Sequence, residues 1–192
     1  MKALEDKILK EGKVYPGNVL KVGSFLNHQI DVPFMTECAK EFYSAFKDDG
    51  VNKVLTIEAS GIAIATLTAQ CFECPLVFAK KSKTSNIADN VYSSDVKSYT
   101  HNCTNQVVVE KDYLNPGDNV LVIDDFLAHG EALRGLFDLI DQAGAKVVGA
   151  GILIEKAFQN GGAPLREQGY HIESLARVAS MDADSGTVTF VD

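Results

Sequence analysis

The sequence lacks the features that define several large classes of protein. No stretch approaches the ~20 apolar residues of a membrane-spanning helix, and the initial MKALEDKILKEGK has no apolar core of the signal-peptide kind. There is also no excess of positive charge: 18 Lys and Arg stand against 26 Asp and Glu, giving a net charge of -8. General nucleic-acid binders are basic, so we expect no nucleic-acid partner. Without a membrane-spanning stretch or a signal peptide, we expect a cytoplasmic protein with no membrane partner.

Cysteine is scarce, with four residues in the chain. Without an export signal we expect reduced thiols rather than a disulfide framework. Cys71 and Cys74 form a CxxC pair, and a Cys3His zinc site with His101 and Cys103 is an alternative. The second pair has an unusual spacing for zinc, so we favour small buried residues beside a strand.

The apolar residues that are present predict an α/β protein. Hydrophobic residues make up 46% of the 192 positions and charged residues 23%, which is typical of one soluble globular domain. Short apolar runs alternate with helical patterns, and such strands pair in parallel with helices on both faces. The apolar runs begin at residues 53, 75, 119 and 146, and the helices between them begin at 61 and 130.

The remaining segments carry shorter patterns. The polar and basic stretch 80–90 has no periodicity and predicts a mobile loop. Alternation on either side of residues 101–102 predicts a pair of antiparallel strands. Further expectations are a helix at 4–9, a hairpin at 18–31, a helix at 33–46, a polar helix ending near 168, and strands at 172–178 and 187–191.

The third apolar run ends in the most informative group of polar residues. Val120–Ile123 is followed by Asp124 and Asp125, and then by a short loop that begins a helix at Gly130. Free backbone N–H groups and the positive end of the helix dipole can cradle a phosphate there. Adjacent carboxylates suit a sugar diol or hydrated magnesium, although they are also common as helix caps.

The segment VLVIDDFLAHGEA resembles the motif by which type I phosphoribosyltransferases bind phosphoribosyl pyrophosphate (PRPP). The resemblance implies that Asp124 and Asp125 bind the ribose hydroxyls, directly or through Mg²⁺, as catalytic residues. It implies that the loop binding the 5′-phosphate is formed by Ala128, His129, Gly130, Glu131 and Ala132. It also implies a pyrophosphate-binding turn at Glu58, Ala59, Ser60 and Gly61, and a pyrophosphate contact at Lys81 in a covering loop.

The motif departs from the family pattern at two positions. His129 stands where threonine is usual, so a hydroxyl donor to the phosphate is missing and an imidazole replaces it. Ala128 stands where hypoxanthine-guanine enzymes carry an acid that handles a proton of the base. The group with that role is therefore not assigned from the motif.

Base choice is indicated by residues outside the motif. The order of the segments and the wording DDFLAHGEA are similar to bacterial members of the family that use xanthine. Lys156 follows the run GILIE, where 6-oxopurine enzymes carry a lysine that donates to O6. Adenine cannot accept this bond because its exocyclic amine is itself a donor. The resemblance further implies xanthine contacts at Leu20 and Asn27, and by its position Phe158 is a candidate to stack on the base.

The resemblance implies the type I phosphoribosyltransferase fold, in which a central, mostly parallel sheet is flanked by helices. A single domain over residues 1–192 would carry a small hood from about 1–35 and 155–192. The implied reaction transfers the phosphoribosyl group from PRPP, with Mg²⁺, to N9 of xanthine in purine salvage, in a homodimer. Two alternatives stay open: a guanine or hypoxanthine enzyme, and a non-catalytic PRPP-sensing regulator. Known regulators of that kind carry an extra DNA-binding domain, for which this chain has neither the length nor a basic patch.

Overall fold

The computed structural model describes residues 1–82, 90–98 and 103–191, and within them a central sheet is covered by helices on both faces. The α-helices are α1 (Lys2–Glu11), α2 (Val32–Phe46), α3 (Gly61–Cys71), α4 (Glu131–Gln142) and α5 (Gly162–Glu167). The strands are β1 (Lys13–Tyr15), β2 (Val19–Lys21), β3 (Lys53–Ile57), β4 (Leu76–Ser82), β5 (Val91–Ser98), β6 (Cys103–Glu110), β7 (Asn119–Leu127), β8 (Lys146–Lys156), β9 (Ile172–Asp182) and β10 (Thr187–Phe190).

The central sheet has eight strands in the order β10-β9-β8-β7-β3-β4-β6-β5. The five strands from β9 to β4 run parallel to one another, and β10, β6 and β5 pair antiparallel at the two edges. β1 and β2 form a separate two-stranded hairpin. The predicted α/β class and the predicted antiparallel pairing of β5 with β6 are confirmed.

The side chains of β7 point alternately into two hydrophobic cores, one on each face of the sheet. Leu121 and Ile123 face the layer that contains α1, α2 and α3, whereas Val120 and Val122 face the layer that contains α4. Both faces are covered, which explains why this strand is almost continuously apolar. The first polar residues can therefore appear only where the strand leaves the two layers, at its carboxyl end. No helix in the described part of the chain has the length and apolar character needed to span a bilayer.

The predicted hairpin at 18–31 is wrong in its position. The structure pairs β1 with β2, with Val14 opposite Leu20, and residues Gly23–Asn27 then form a π-helical turn. Phe25 and Leu26 are both buried although they are adjacent. A strand would point such neighbours to opposite faces, so packing favours a helical turn here.

The predicted loop at 80–90 begins later than the sequence indicates. Lys80 and Lys81 belong to β4, because their backbone pairs with Val108 and Val107 of the antiparallel β6. This pairing satisfies the backbone of a polar segment that has no apolar pattern. Residues 83–89 lie outside the described residues, as does His101 of the weighed zinc alternative. Cys71 and Cys74 are free thiols.

The predicted polar helix before residue 168 is shorter and interrupted. A 3-10 turn covers Ala157–Gln159, and α5 begins only at Gly162. Asn160 between them has a φ of 55°, in the left-handed region, which ends the first turn. The chain thus forms a loop over residues 157–161 beside the carboxyl end of β8.

Candidate active site

A cavity of about 670 Å³ lies at the carboxyl ends of β3, β7 and β8. In open α/β sheets this edge is the usual ligand site. Predicted site residues that line it are Glu58, Ser60, Lys81, Asp124, Asp125, Ala128, His129, Gly130, Glu131, Ala132 and Lys156. Those that do not line it are Ala59, Gly61, Leu20 and Asn27.

Asp124 and Asp125 lie together at the floor of this cavity, and both are buried. Asp124 Oδ1 accepts a hydrogen bond from the backbone N–H of Asp125 at 2.9 Å, and Asp125 Oδ1 accepts one from the backbone N–H of Phe126 at 3.0 Å. Burial, followed by the neighbouring Asp125 carboxylate, raises the pKa of Asp124 well above its usual range. This pair is a concentrated negative site that favours a cation or hydroxyl donors.

The predicted phosphate loop connects β7 to α4. Gly130 has a φ of 85°, a left-handed conformation that favours glycine, and it precedes the first residue of α4. Arg134 holds the loop from the next helical turn, because its guanidinium donates to the backbone carbonyl of His129 at 3.0 Å and to Glu131 at 3.2 Å. The N–H groups at the start of α4 therefore face the cavity from a fixed loop.

The loop over residues 157–161 packs directly against the phosphate loop at Gly161. A Cβ atom on Gly161 would collide with the carbonyl of Ala128 and would lie 2.6 Å from the backbone nitrogen of Gly130. Only glycine allows the two backbones to approach this closely. The two loops therefore form one packed unit at the cavity wall.

The turn after β3 forms the opposite wall. Glu58 accepts a hydrogen bond from the backbone N–H of Lys81 at 2.7 Å, and the Glu58–Ala59 peptide bond is cis. Gly61 opens α3 against the floor: a Cβ atom there would meet Thr56 Oγ1 and would lie 3.0 Å from Asp124 Oδ1. The turn thus lies beside both the carboxylate floor and Lys81 of β4.

Lys156 ends β8 and joins the site to the N-terminal hairpin. Its ammonium donates to the backbone carbonyl of Asn18 at 2.8 Å and lies 5.5 Å from the centroid of the Phe126 ring. Burial lowers the pKa of Lys156. Gly17, in the turn of the hairpin, and Val19, the first residue of β2, complete this wall of the cavity.

Three residues predicted to contact the base occupy other positions. Leu20 is 5% exposed and belongs to the hydrophobic core beneath the hairpin. Asn27 ends the π-helical turn and is exposed. Phe158 is 38% exposed and does not line the cavity, whereas Phe126 does.

An ion-pair network lies directly behind Lys156. Glu155, 2% exposed, accepts from both terminal nitrogens of Arg166 at 2.8 Å and from Arg177 at 3.2 Å. Burial alone would raise the pKa of Glu155, but the hydrogen bonds of Arg166 and Ser174 and the charges of the two arginines outweigh it, so the pKa lies below its usual value. The network fixes the carboxyl end of β8 to β9 and α5.

Sequence reasoning missed several residues of the cavity. Gln159 lies in its wall, and the hairpin of β5 and β6 contributes a further side. These positions have no local signal, because they reach the cavity only through the tertiary fold. The contributions of the β5–β6 hairpin are Val96, Lys97, Asn105 and Val107.

Comparison with known proteins assigns this architecture to a family. Residues 33–168 match the phosphoribosyl transferase domain, a segment that contains the carboxylate floor, both loops and Lys156. The chain belongs to the phosphoribosyltransferase family.

Curated relatives narrow the comparison within that family. The chain is 54% identical to the xanthine phosphoribosyltransferase of Lachnoclostridium phytofermentans, over 99% of this chain and 98% of the relative. It is also 54% identical to the xanthine phosphoribosyltransferase of Finegoldia magna, over 96% and 97% of the two chains. The xanthine phosphoribosyltransferase of Bacillus cereus strain ATCC 10987 is 51% identical over 100% of this chain and 96% of the relative.

Solved structures confirm the type I phosphoribosyltransferase fold. The adenine phosphoribosyltransferase of Thermoanaerobacter pseudethanolicus superposes with a TM-score of 0.74 at 20% identity, covering 91% of this chain and 99% of that chain. The Giardia lamblia enzyme, complexed with 9-deazaadenine, gives 0.78 at 22% identity, over 91% and 97% of the two chains. These distant likenesses establish the fold, whereas base choice depends on the site.

Proposed function

We propose that the protein is a xanthine phosphoribosyltransferase, which transfers the phosphoribosyl group of PRPP to N9 of xanthine. The products are xanthosine 5′-monophosphate and pyrophosphate, a purine-salvage reaction. The observation that carries the proposal is the placement of Lys156 in the same cavity as the two aspartates and the phosphate loop. The xanthine-specific names of relatives at 51–54% identity support the choice of base.

The cavity walls support the proposed roles of the PRPP-binding residues. The N–H groups from Ala128 to Ala132 bind the 5′-phosphate at the start of α4. Asp124 and Asp125 hold the ribose hydroxyls, and the turn from Glu58 to Gly61, with Lys81, binds the pyrophosphate. The site thereby positions the anomeric carbon between a leaving group and the base, and positioning is the main contribution that such a transfer needs.

Magnesium fits the donor set at the floor. Two buried carboxylates, one with a raised pKa caused by burial and its neighbour, carry charge that a hard divalent cation would neutralise. We propose that PRPP supplies most of the ligands of the ion, with Asp124 and Asp125 in support. When bound, Mg²⁺ supplies charge neutralisation to the pyrophosphate.

The base site is the part of the cavity beneath the hairpin turn. Lys156 donates to O6 of the purine, beside the Phe126 ring. Leu20 supports this wall from the core, whereas the contact of Asn27 with the base stays a prediction, because Asn27 does not line the cavity. We further propose one domain over residues 1–192, with a hood from about 1–35 and 155–192, that acts in the cytoplasm as a homodimer.

A steady-state assay tests this function. The protein is supplied with PRPP and Mg²⁺ and offered xanthine, guanine, hypoxanthine or adenine separately while nucleotide formation is followed. Preference for xanthine supports the proposal. Preference for guanine or hypoxanthine would keep the reaction and change the base that is assigned as the substrate. Turnover of adenine alone contradicts the role of Lys156, and PRPP binding without any turnover indicates a sensor.

The roles of the aspartates and the oligomeric state need separate measurements. Replacing Asp125 with lysine places a positive charge on the floor and is expected to abolish PRPP binding in titration calorimetry. Unchanged affinity would contradict the motif assignment. Sedimentation velocity with and without PRPP reports the dimer, and a monomer under both conditions would contradict it.

A further inference from the structure

Gln159 lines the cavity, and the oxygen of its side-chain amide is buried without a hydrogen-bond partner among the residues that the structure describes. Gln159 ends the 3-10 turn that follows β8, three residues after Lys156. Its Oε1 atom is buried, and no donor in residues 1–82, 90–98 and 103–191 reaches it. A buried acceptor left unpaired is destabilising. Because Gln159 lines the cavity, a bound ligand is placed to supply the missing donor.

The chemistry of an amide oxygen restricts what that group can be. Oε1 can only accept, so its partner must carry an N–H or O–H. The phosphate oxygens of PRPP are acceptors and cannot satisfy it. The ribose hydroxyls are assigned to Asp124 and Asp125 on the floor. The remaining donors of the reactants are the N–H groups of the base.

The position of Gln159 selects one of these N–H groups. Lys156, at the end of β8, is a donor, and Gln159, three residues later on the turn that follows, is an acceptor; both line the cavity. A donor beside an acceptor is complementary to a lactam, in which C=O stands beside N–H. In a 6-oxopurine, the lactam edge at O6 is C6=O with N1–H. Adenine presents the opposite order, with an amine donor at C6 and an acceptor at N1.

We propose that Gln159 is a specificity-determining residue that accepts a hydrogen bond from N1–H of the oxopurine while Lys156 donates to O6. This inference rests on the proposed function. A single lysine recognises only the carbonyl, whereas the pair recognises the carbonyl together with its neighbouring N–H. The pair thereby rejects bases whose N1 is an acceptor, because both partners would be left unpaired.

The first test replaces Gln159 with leucine, which retains volume and removes the acceptor. The value of kcat/KM for xanthine is expected to fall about 5- to 100-fold, through KM for the base, while KM for PRPP stays within about twofold. The matched control is Gln168→Leu, an exposed glutamine at the end of α5, which should change neither constant. Thermal unfolding of both variants reports whether the fold is intact.

The second test separates hydrogen bonding from packing. Gln159→Ala removes the acceptor and leaves space beside N1. Relative to the unmodified protein, the variant should therefore lose kcat/KM with xanthine and gain kcat/KM with 1-methylxanthine. The ratio of kcat/KM for xanthine to kcat/KM for 1-methylxanthine should fall at least tenfold. A packing role predicts parallel losses with both bases. An unchanged ratio, or relief only with 3-methylxanthine or 7-methylxanthine, would overturn the assignment to N1–H.

The failure of this inference can be distinguished from that of the proposed function. If the unmodified protein turns over no 6-oxopurine with PRPP and Mg²⁺, the proposed function fails before any variant is measured. If the unmodified protein uses xanthine and Gln159→Leu matches it in kcat/KM, only the role of Gln159 is rejected.

Discussion

The Lys156 ammonium donates a hydrogen bond to the carbonyl of Asn18, a residue 138 positions earlier in the chain, at 2.8 Å. This bond joins the carboxyl end of β8 to the turn of the N-terminal hairpin. The same side chain lines the cavity, so it both holds the hairpin turn and forms part of the site.

Replacing Lys156 with methionine is expected to lower kcat/KM for xanthine about 10- to 100-fold, because a hydrogen bond from a charged donor is worth about 1.5–3 kcal/mol. KM for PRPP should change little. The measurement is steady-state kinetics with each substrate varied in turn. Lys146→Met, at the exposed start of the same strand, is the control. Equal losses in both variants would contradict a specific role for Lys156.

Replacing Asp124 with asparagine is expected to stabilise the free protein at neutral pH and to abolish activity. The folded pKa of this carboxyl lies well above its unfolded value of about 3.8, because of burial and then the Asp125 charge. The folded state therefore holds the proton more tightly, and stability falls as the pH rises above about 4. Asparagine keeps the hydrogen bond from the Asp125 N–H but cannot ionise, so the decrease in stability with rising pH disappears.

Thermal unfolding between pH 4 and pH 8 checks the prediction for Asp124. The midpoint of the variant should exceed that of the unmodified protein at pH 8, by about 2–4 °C for each kcal/mol relieved, and the two should converge near pH 4. Asp141→Asn, at an exposed position on α4, should show no such difference. A parallel offset at every pH would contradict the linkage.

Replacing Gly161 with alanine is expected to raise KM for PRPP at least tenfold with a smaller effect on folding. The new methyl group has no space against the carbonyl of Ala128 and the nitrogen of Gly130, so the phosphate loop must shift. A displacement of about 1 Å in a positioning element can cost about 100-fold. Kinetics with PRPP varied measure the effect, and Gly23→Ala, where a Cβ makes only ordinary contact, should leave KM unchanged.

Replacing Glu155 with glutamine is expected to lower the free energy of unfolding by about 3 kcal/mol at pH 7, because it leaves two arginines beside a buried neutral group. Arg177→Gln, whose side chain is 41% exposed, should cost about 1 kcal/mol or less. Urea unfolding measures both.

The pH dependence of the Glu155 variant gives an independent check. The folded pKa of Glu155 lies below its unfolded value of about 4.5. Its contribution is therefore complete above about pH 5 and is lost as the pH falls through the folded pKa. The unmodified protein and the variant should converge in acid, and a constant difference would contradict the assignment.

The sheet and the centre of the site are predictable from the sequence because both depend on short-range patterns. An apolar run must be buried on both faces, so the first carboxylates after Val120–Ile123 mark the sheet edge at which a ligand binds. Gly130, between those carboxylates and α4, marks the phosphate loop by the same local logic.

The hairpin turn above Lys156 and the wall that contains Gly161 are not predictable in this way. The Lys156–Asn18 bond and the contact of Gly161 with Ala128 depend on pairs that are distant in the chain. The π-helical turn at Gly23–Asn27 is set by the burial of Phe25 and Leu26 in a core that tertiary packing creates. Gln159 cannot be singled out from the sequence, because the burial of its Oε1 atom without a hydrogen-bond partner is visible only in the folded structure.

The contact between Gly161 and the phosphate loop has a consequence for how the two substrates influence each other. A ligand that orders residues 128–132 also restricts the loop that carries Gln159, because the backbones touch and cannot move independently. The entropic cost of immobilising that shared unit is then met by whichever substrate arrives first, and the second binds to a preformed surface. Such coupling is reciprocal: the factor by which PRPP raises the affinity for the base equals the factor by which the base raises the affinity for PRPP.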